Sequence, residues 1–501
     1  MNIINQLHYI RDAYAEKTAV VSVDGEWTYE GLYDEVDRYA EALRNAGVGE
    51  GDRFNILMVN SNRMLSILLA GWQIGAIPAP INIRLGDETV RFMVEDAESG
   101  LVVIDEPLSD KKAAVEEMDG VDALITSDEG GELEAHLPDG DVDSEVTPRL
   151  NTEHAIFLHT AGTTGRPKWV QLTHGNLAAS LGVTTAAGLD ASDSCLHYFP
   201  LYHSGGIDVT LYRLLSGGTT LLGSGWDPED ALQRLDKYDA KGFNAVPQMG
   251  YELVNHPDFE EYDLSSVEYF WVGGDTVSEE LANEFREIGA QPMQGYGLTE
   301  TMAVIAVTEY GKTDYPLDST GEVVEDIAHV RIVDPDTGEE VETGEIGEIM
   351  ITGDKLAPGY HNRPEKEAEA YEDGWLHTED LGMIDENGYL YITGRLDNMM
   401  IVGGENVYPT DVEETLEQHP AISQVVVVAK PDARKGQIPV ANIVLEEGAD
   451  ITAEEIKQWF IEQDAAFKHP REIRFLDELP TTALGKIDRT ALQEEIEEEA
   501  E

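Results

Sequence analysis

Between residues 53 and 82 the chain reads RFNILMV, then SNRMLSILLAGWQIG, then AIPAPIN, with glycine at the junction before the last. The outer two are apolar runs of strand length. The middle one repeats apolar residues at helical spacing behind a serine cap. Strand, helix and strand joined this tightly make a βαβ unit, which places its strands in parallel. The alternation returns in HAIFLHT, in TTLLG, and in VEYFWVGGD followed by SEELANEFREIG. The expected fold class is α/β. Upstream, a helix is expected from Thr28 to Ala46, stopped by Gly47, Gly49 and Gly51. The acidic, Gly- and Asp-rich stretch 116–153 reads as a surface excursion.

Past Gly394 the pattern changes. Capping-box patterns at Thr410 to Glu413 and at Thr452 to Glu455 open helices, and SQVVVVAK and PVANIVLE between them read as strands. About a hundred residues of α+β pattern suffice for a small domain. The expected organisation is a large N-terminal domain of βαβ-type parallel sheets, 1–396, and a small C-terminal α+β domain, 397–501.

Charge narrows the function classes. The chain carries 33 Lys+Arg against 99 Asp+Glu, a formal net charge of −66 over 501 residues. Binding of nucleic acid or an anionic membrane through a basic surface is excluded on that balance. The acidic residues spread over helices and loops, a pattern that resembles the cytoplasmic proteins of salt-loving archaea. In such salt the Debye length falls to about 3 Å and self-repulsion is screened. Cys195 is the one cysteine, which excludes an intramolecular disulfide. The first residues, MNIINQLHYIRDAY, lack the charged-then-apolar order of a signal peptide. The most apolar segment, 68–83, is broken by polar, Gly and Pro residues, so no membrane span is expected. A cytoplasmic location is expected.

The stretch HTAGTTGRPKWV, 159–170, is not a Walker A loop. Its physics is related: Gly162 and Gly165 let backbone N–H groups turn toward an anion, and Thr160, Thr163 and Thr164 add hydroxyl donors. Lys168, braced by Pro167, supplies a point charge. A strand before it and a helix soon after it suit a phosphate loop. VGGD, 272–275, ends a strand, where open α/β sheets place ligands.

Four more segments join this loop: QGYGLTET (294–301), GWLHTEDLG (374–382), GRLDNMMIVGGENVYP (394–409) and LPTTALGKIDR (479–489). Together they resemble the ordered signatures of the adenylate-forming superfamily, which includes acyl-CoA synthetases, adenylation domains and luciferase. The resemblance implies ATP, Mg2+ and coenzyme A. It further implies activation of a carboxylic acid to an acyl-adenylate, then transfer to CoA with release of AMP and pyrophosphate. Lys486 would be the catalytic lysine, with Lys168 and Thr299 on the phosphates and Glu300 holding Mg2+. Tyr296 would stack on adenine, near Gln294, Gly295, Gly273, Gly274 and Asp275. Asp380 would bind ribose, Arg395 would make a second contact to ribose or phosphate, Asp397 would be the hinge, and Gly403 and Gly404 would admit the thiol arm.

For the acid, the resemblance points to Tyr202, His203, Val246, Met249, Val272 and Gly297. Acetate-specific relatives carry a tryptophan at the last position, so its glycine implies an acid larger than acetate, fatty or aryl. The chain departs from the family pattern at Ala161, Trp169, Glu379 and Leu484, and Trp169 would place bulk beside the loop. The alternatives are transfer to a carrier-protein pantetheine, a luciferase-like oxidase, or a non-catalytic nucleotide-binding homologue.

Overall fold

The computed structural model describes residues 2–127, 130–140, 142, 144–160, 167–190, 193–273, 277–396, 400–402, 405–432, 435–446, 448–449, 451–463, 468–481 and 487–500. The chain divides into two compact units, Met1–His329 with Ile351–Leu376, and Val330–Met350 with His377–Glu501.

In the first unit the opening βαβ pattern folds as expected. Strands Arg53–Leu57 and Ile77–Pro80 pair in parallel, with helix Asn62–Gln73 between them in the chain. Ser61 caps that helix, its hydroxyl accepting from the Met64 N–H at 3.1 Å. The helix is buried nearly all round, as its continuous apolar sequence requires. Helix Tyr29–Asn45 packs beside it, capped by Thr28. The parallel sheet runs Ile77–Pro80, Arg53–Leu57, Leu101–Asp105, Asp122–Thr126. The last strand corrects the reading of 116–153 as excursion alone. An edge strand buries only part of itself, and this one has too few apolar residues to announce a strand.

A second, larger sheet has a parallel centre in which Gly242–Ala245, Tyr269–Gly273 and Gln291–Leu298 lie side by side. Its far edge turns antiparallel through Ala303–Val307. Side chains on successive residues of Tyr269–Gly273 alternate between two cores. Phe270 and Val272 pack with Phe243 and Leu281, whereas Tyr269 and Trp271 pack with Tyr212 and Met293.

A third sheet is antiparallel, Gly359–Tyr360 with Lys168–Thr173 with His154–Thr160. The expectation of βαβ-type sheets throughout is corrected here: HAIFLHT returns as a hairpin, not as a crossover.

In the second unit Ile422–Asp432 and Gly436–Leu445 form a long antiparallel pair, flanked in parallel by Glu472–Phe475. Thr452 and Glu455 make the expected capping box, each accepting from the other's backbone N–H. The one expected at Thr410 does not form. Its helix, Pro409–Glu417, starts two residues earlier, behind Tyr408, and the Thr410 hydroxyl donates to the Thr393 carbonyl. Glu413 turns inward instead, accepting from the Val427 N–H and from Arg489 at 2.5 Å.

Candidate active site

The strands His154–Thr160 and Lys168–Thr173 are antiparallel neighbours, and Thr160 lies directly opposite Lys168. Residues 161–166 join them. The segment is therefore bracketed by a hairpin and does not open straight onto a helix. Helix His174–Ala186 begins only after the second strand, at Thr173. Ala161, Gly162, Thr163, Thr164 and Gly165 lie outside the described residues. The Thr160 hydroxyl is buried with no hydrogen-bond partner among the described residues. Such a donor at the mouth of an anion loop is a group that a phosphate oxygen would satisfy.

Trp169 is a core residue. Strand alternation sends it to the face opposite Lys168, where it is fully buried with Phe157 and Met93. Its indole N–H donates to the Met93 carbonyl at 3.1 Å.

Glu300 follows strand Gln291–Leu298 at a sharp turn in which Met302 and Ala303 both have left-handed backbones, φ 46° and 62°. Thr301 secures the turn, its hydroxyl lying between the Leu298 N–H and the Ala303 carbonyl at 2.9 and 2.8 Å. Glu300 is buried, 8% exposed as a residue. Its Oε1 accepts from the Tyr360 hydroxyl at 2.8 Å and stands 3.7 Å from the Lys168 ammonium. That ammonium lies 3.8 Å from the centre of the Tyr360 ring. Thr299 directly precedes Glu300 in the same turn. Sequence inspection missed Tyr360; only the pairing of its strand with Lys168–Thr173 brings it here.

Around the strand ends the expectations divide. Gly273 ends its strand in parallel register with Gly295, and a Cβ there would meet open space. Gly274 and Asp275 lie outside the described residues. Tyr296 is buried. The Gln294 side chain is committed to the fold: it accepts from the Val277 N–H at 3.1 Å and donates to the Leu317 and Ser319 carbonyls.

Gly297 sits at a bulge, and a Cβ there would fall 1.8 Å from the Ala303 carbonyl oxygen. The backbone demands glycine at this position, which corrects its reading as a gauge of acid size. Val272 and Met249 pack in the core on one side of the sheet. Trp271, on the other side, has its indole nitrogen 3.3 Å from where a Gly295 Cβ would lie. That residue was not anticipated. Tyr202 and Val246 are nearly buried, and His203 caps helix Ser204–Leu215, its Nδ1 accepting from the Gly205 N–H at 3.2 Å.

In the second unit Asp380 pairs in register with Arg395 across Trp375–Ile384 and Leu390–Arg395. Arg395 donates to Asp380 at 2.8 Å and to Glu379 at 3.0 Å. The Thr378 hydroxyl accepts from the Asp380 N–H, and buried Glu348 accepts from the Glu379 N–H at 3.2 Å. Glu379 has φ 61°, the left-handed region that favours glycine. Asp397, Gly403, Gly404 and Lys486 lie outside the described residues. Thr481 and Ile487, on either side of 482–486, form an antiparallel bridge.

The family model described as AMP-binding enzyme matches residues 10–361, and the one described as AMP-binding enzyme C-terminal domain matches 411–486. The chain belongs to the AMP-binding enzyme family.

This AMP-binding enzyme is 34% identical to a feruloyl-CoA synthase of Amycolatopsis sp over 92% of each chain. Its fold resembles ATP-bound MatB from Rhodopseudomonas palustris, with a TM-score of 0.93, 28% identity and all of both chains covered. It also resembles o-succinylbenzoate CoA synthetase from Bacillus subtilis in complex with its acyl-adenylate intermediate, TM-score 0.86, 28% identity, 97% of each chain. No helix among the described residues of the AMP-binding enzyme is long and apolar enough to cross a membrane.

Proposed function

We propose that the chain is an ATP-dependent carboxylate–CoA ligase acting on an acid larger than acetate, with an aryl acid favoured over a fatty one. One observation carries the reading: a lysine and a buried carboxylate held 3.7 Å apart beside a hairpin loop whose Thr160 hydroxyl is buried without a partner among the described residues. The feruloyl and o-succinylbenzoate relatives support the choice of acid and acceptor.

In the first half-reaction a carboxylate oxygen bonds to the α-phosphorus of ATP, and the bond to the β-phosphate oxygen breaks to release pyrophosphate. Both reactants are anions, so catalysis rests on orientation and on cations and donors aimed where charge builds up. Lys168, Thr160 and Thr299, with Thr163 and Thr164, would hold the phosphates; Lys486 would reach the reacting centre. In the second half-reaction the CoA sulfur bonds to the acyl carbon, AMP leaves with the oxygen it shared, and the thiol proton is lost to solvent.

Among the described residues no cluster of three His, Cys, Asp or Glu could hold a metal ion. A lone buried carboxylate nonetheless fits Mg2+, which takes one carboxylate and fills its shell with phosphate oxygens and water. Glu300 would hold it there, and the ion would neutralise phosphate charge. Asp380 and Arg395 would bind ribose, and Tyr296 would stack on adenine. The lysine-bearing domain, 397–501, would turn about Asp397, carrying Lys486 away and presenting Gly403 and Gly404 to the thiol arm. The charge of −66 belongs with a cytoplasmic enzyme of a salt-rich cell.

Lys486→Ala tests the two-step reading. Pyrophosphate release with acid and ATP should be lost, while supplied acyl-adenylate and CoA should still give thioester. Equal loss of both steps would overturn it.

A further inference from the structure

We infer that Tyr360 is a positioning residue that keeps the Lys168–Glu300 ion pair from closing to a direct hydrogen bond, so that both ends can be drawn to the nucleotide and its cation. The inference rests on the ligase reading and deepens it.

Tyr360 is buried on the short strand Gly359–Tyr360, anchored against Val170 of the neighbouring strand. Two different parts of the side chain hold two opposite charges. The hydroxyl donates to Glu300 Oε1 at 2.8 Å, and the ring face lies 3.8 Å from the Lys168 ammonium. The lysine's nearest approach to the carboxylate is to that same Oε1, at 3.7 Å.

A direct ammonium–carboxylate hydrogen bond would close to about 2.8 Å. With the Glu300 side chain 11% and the Lys168 side chain 26% exposed, water screens such a pair only in part, so it would be drawn to close. The gap persists because Tyr360 competes for both ends. Its hydroxyl occupies the oxygen the lysine would take, and its π-face offers the ammonium a second place to rest. The backbone strengthens the arrangement: the Ala357 N–H donates to the Glu300 carbonyl at 2.7 Å, tying the turn to the segment that leads into Tyr360. Tyr371 stands edge-on to the Tyr360 ring at 5.9 Å, which fixes the plane of the ring.

Removing one oxygen separates this role from packing. Tyr360→Phe keeps the ring, its volume and its π-face, and releases Oε1 to the lysine. A hydrogen bond to a charged group is strong enough that its loss should weaken MgATP binding about tenfold or more. Titration calorimetry with MgATP, Mn2+ binding followed by electron paramagnetic resonance with a non-hydrolysable ATP analogue, and thermal unfolding should be run on wild type, Tyr360→Phe and Tyr360→Leu. The expected result is a Phe variant with wild-type thermal stability, weakened MgATP and Mn2+ binding, and KM for ATP raised more than kcat is lowered. A Phe variant that binds both like wild type would overturn the inference, even if the Leu variant failed, because the tyrosine would then serve packing alone. A folded wild type that binds no MgATP would overturn the ligase reading itself.

Discussion

Glu379 and Arg395 are joined by a 3.0 Å ion pair, and Glu379 makes it from a left-handed backbone with φ 61°. A non-glycine residue in that region costs about 1–2 kcal/mol. The pair is too exposed to offset this, since such pairs contribute roughly 0–1 kcal/mol and less in salt. Glu379→Gly should therefore stabilise the protein by about 0.5–1 kcal/mol after glycine's own entropy is counted. Thermal unfolding in molar potassium chloride reads this, and a loss of stability would show that the pair outweighs the strain.

Trp169 fills a core, with its indole N–H on the Met93 carbonyl. Trp169→Gly should restore the family pattern in sequence yet cost about 4 kcal/mol or more in stability. The fraction that stays folded should bind ATP as before. A stable variant with tighter ATP binding would place the indole beside the phosphates after all.

At Gly297 even alanine should be harmful, because its Cβ would meet the Ala303 carbonyl. The expected cost is about 3 kcal/mol, the penalty of a shifted backbone. Activity should fall for short and long acids alike. Selective loss of the larger acids from a stable Gly297→Ala variant would return this residue to the acyl pocket.

Burial holds His159 and His174 down at about 4 and His197 at about 3. Unfolded, each takes a proton near pH 6.5. Below that pH the unfolded chain binds more protons than the folded one, so stability is lost as pH falls from about 6.5 toward 4. The loss should reach about 1 kcal/mol apiece by roughly pH 5.5. Urea midpoints at about pH 7.5 and 5.5, at constant salt, should show the drop, and His197→Phe should lessen it. A flat profile would mean that these histidines are not held neutral.

A net charge of −66 strains the fold and repels ATP, CoA and the acid. Raising potassium chloride from about 0.1 M to 1 M shortens the Debye length from about 10 Å to 3 Å. Thermal midpoint and kcat/KM should both rise over that range. An enzyme fastest and most stable in dilute buffer would contradict the salt-rich setting and leave the ligase chemistry standing.

Local pattern carried much of this molecule. Helix Asn62–Gln73, its serine cap and its flanking parallel strands follow from periodicity and capping, which act within a few residues. The same holds for the Thr452 box. The ordered motifs named the family because each needs its residue types side by side. What lay beyond local reach was direction. Trp169 and Gly297 both looked like parts of a site, but only strand alternation and the path of Ala303–Val307 decide where their side chains would point. Thr410 met the capping pattern yet bonds Thr393, because a tertiary partner outcompeted the local one. Tyr360 reaches Glu300 across 60 residues and Lys168 across far more. No short-range rule links these three side chains. The antiparallel sheet sets Tyr360 beside Lys168, and the turn after Gln291–Leu298 of the larger sheet supplies Glu300; both are matters of backbone hydrogen bonding, to which the side chains in the site contribute no sequence signal.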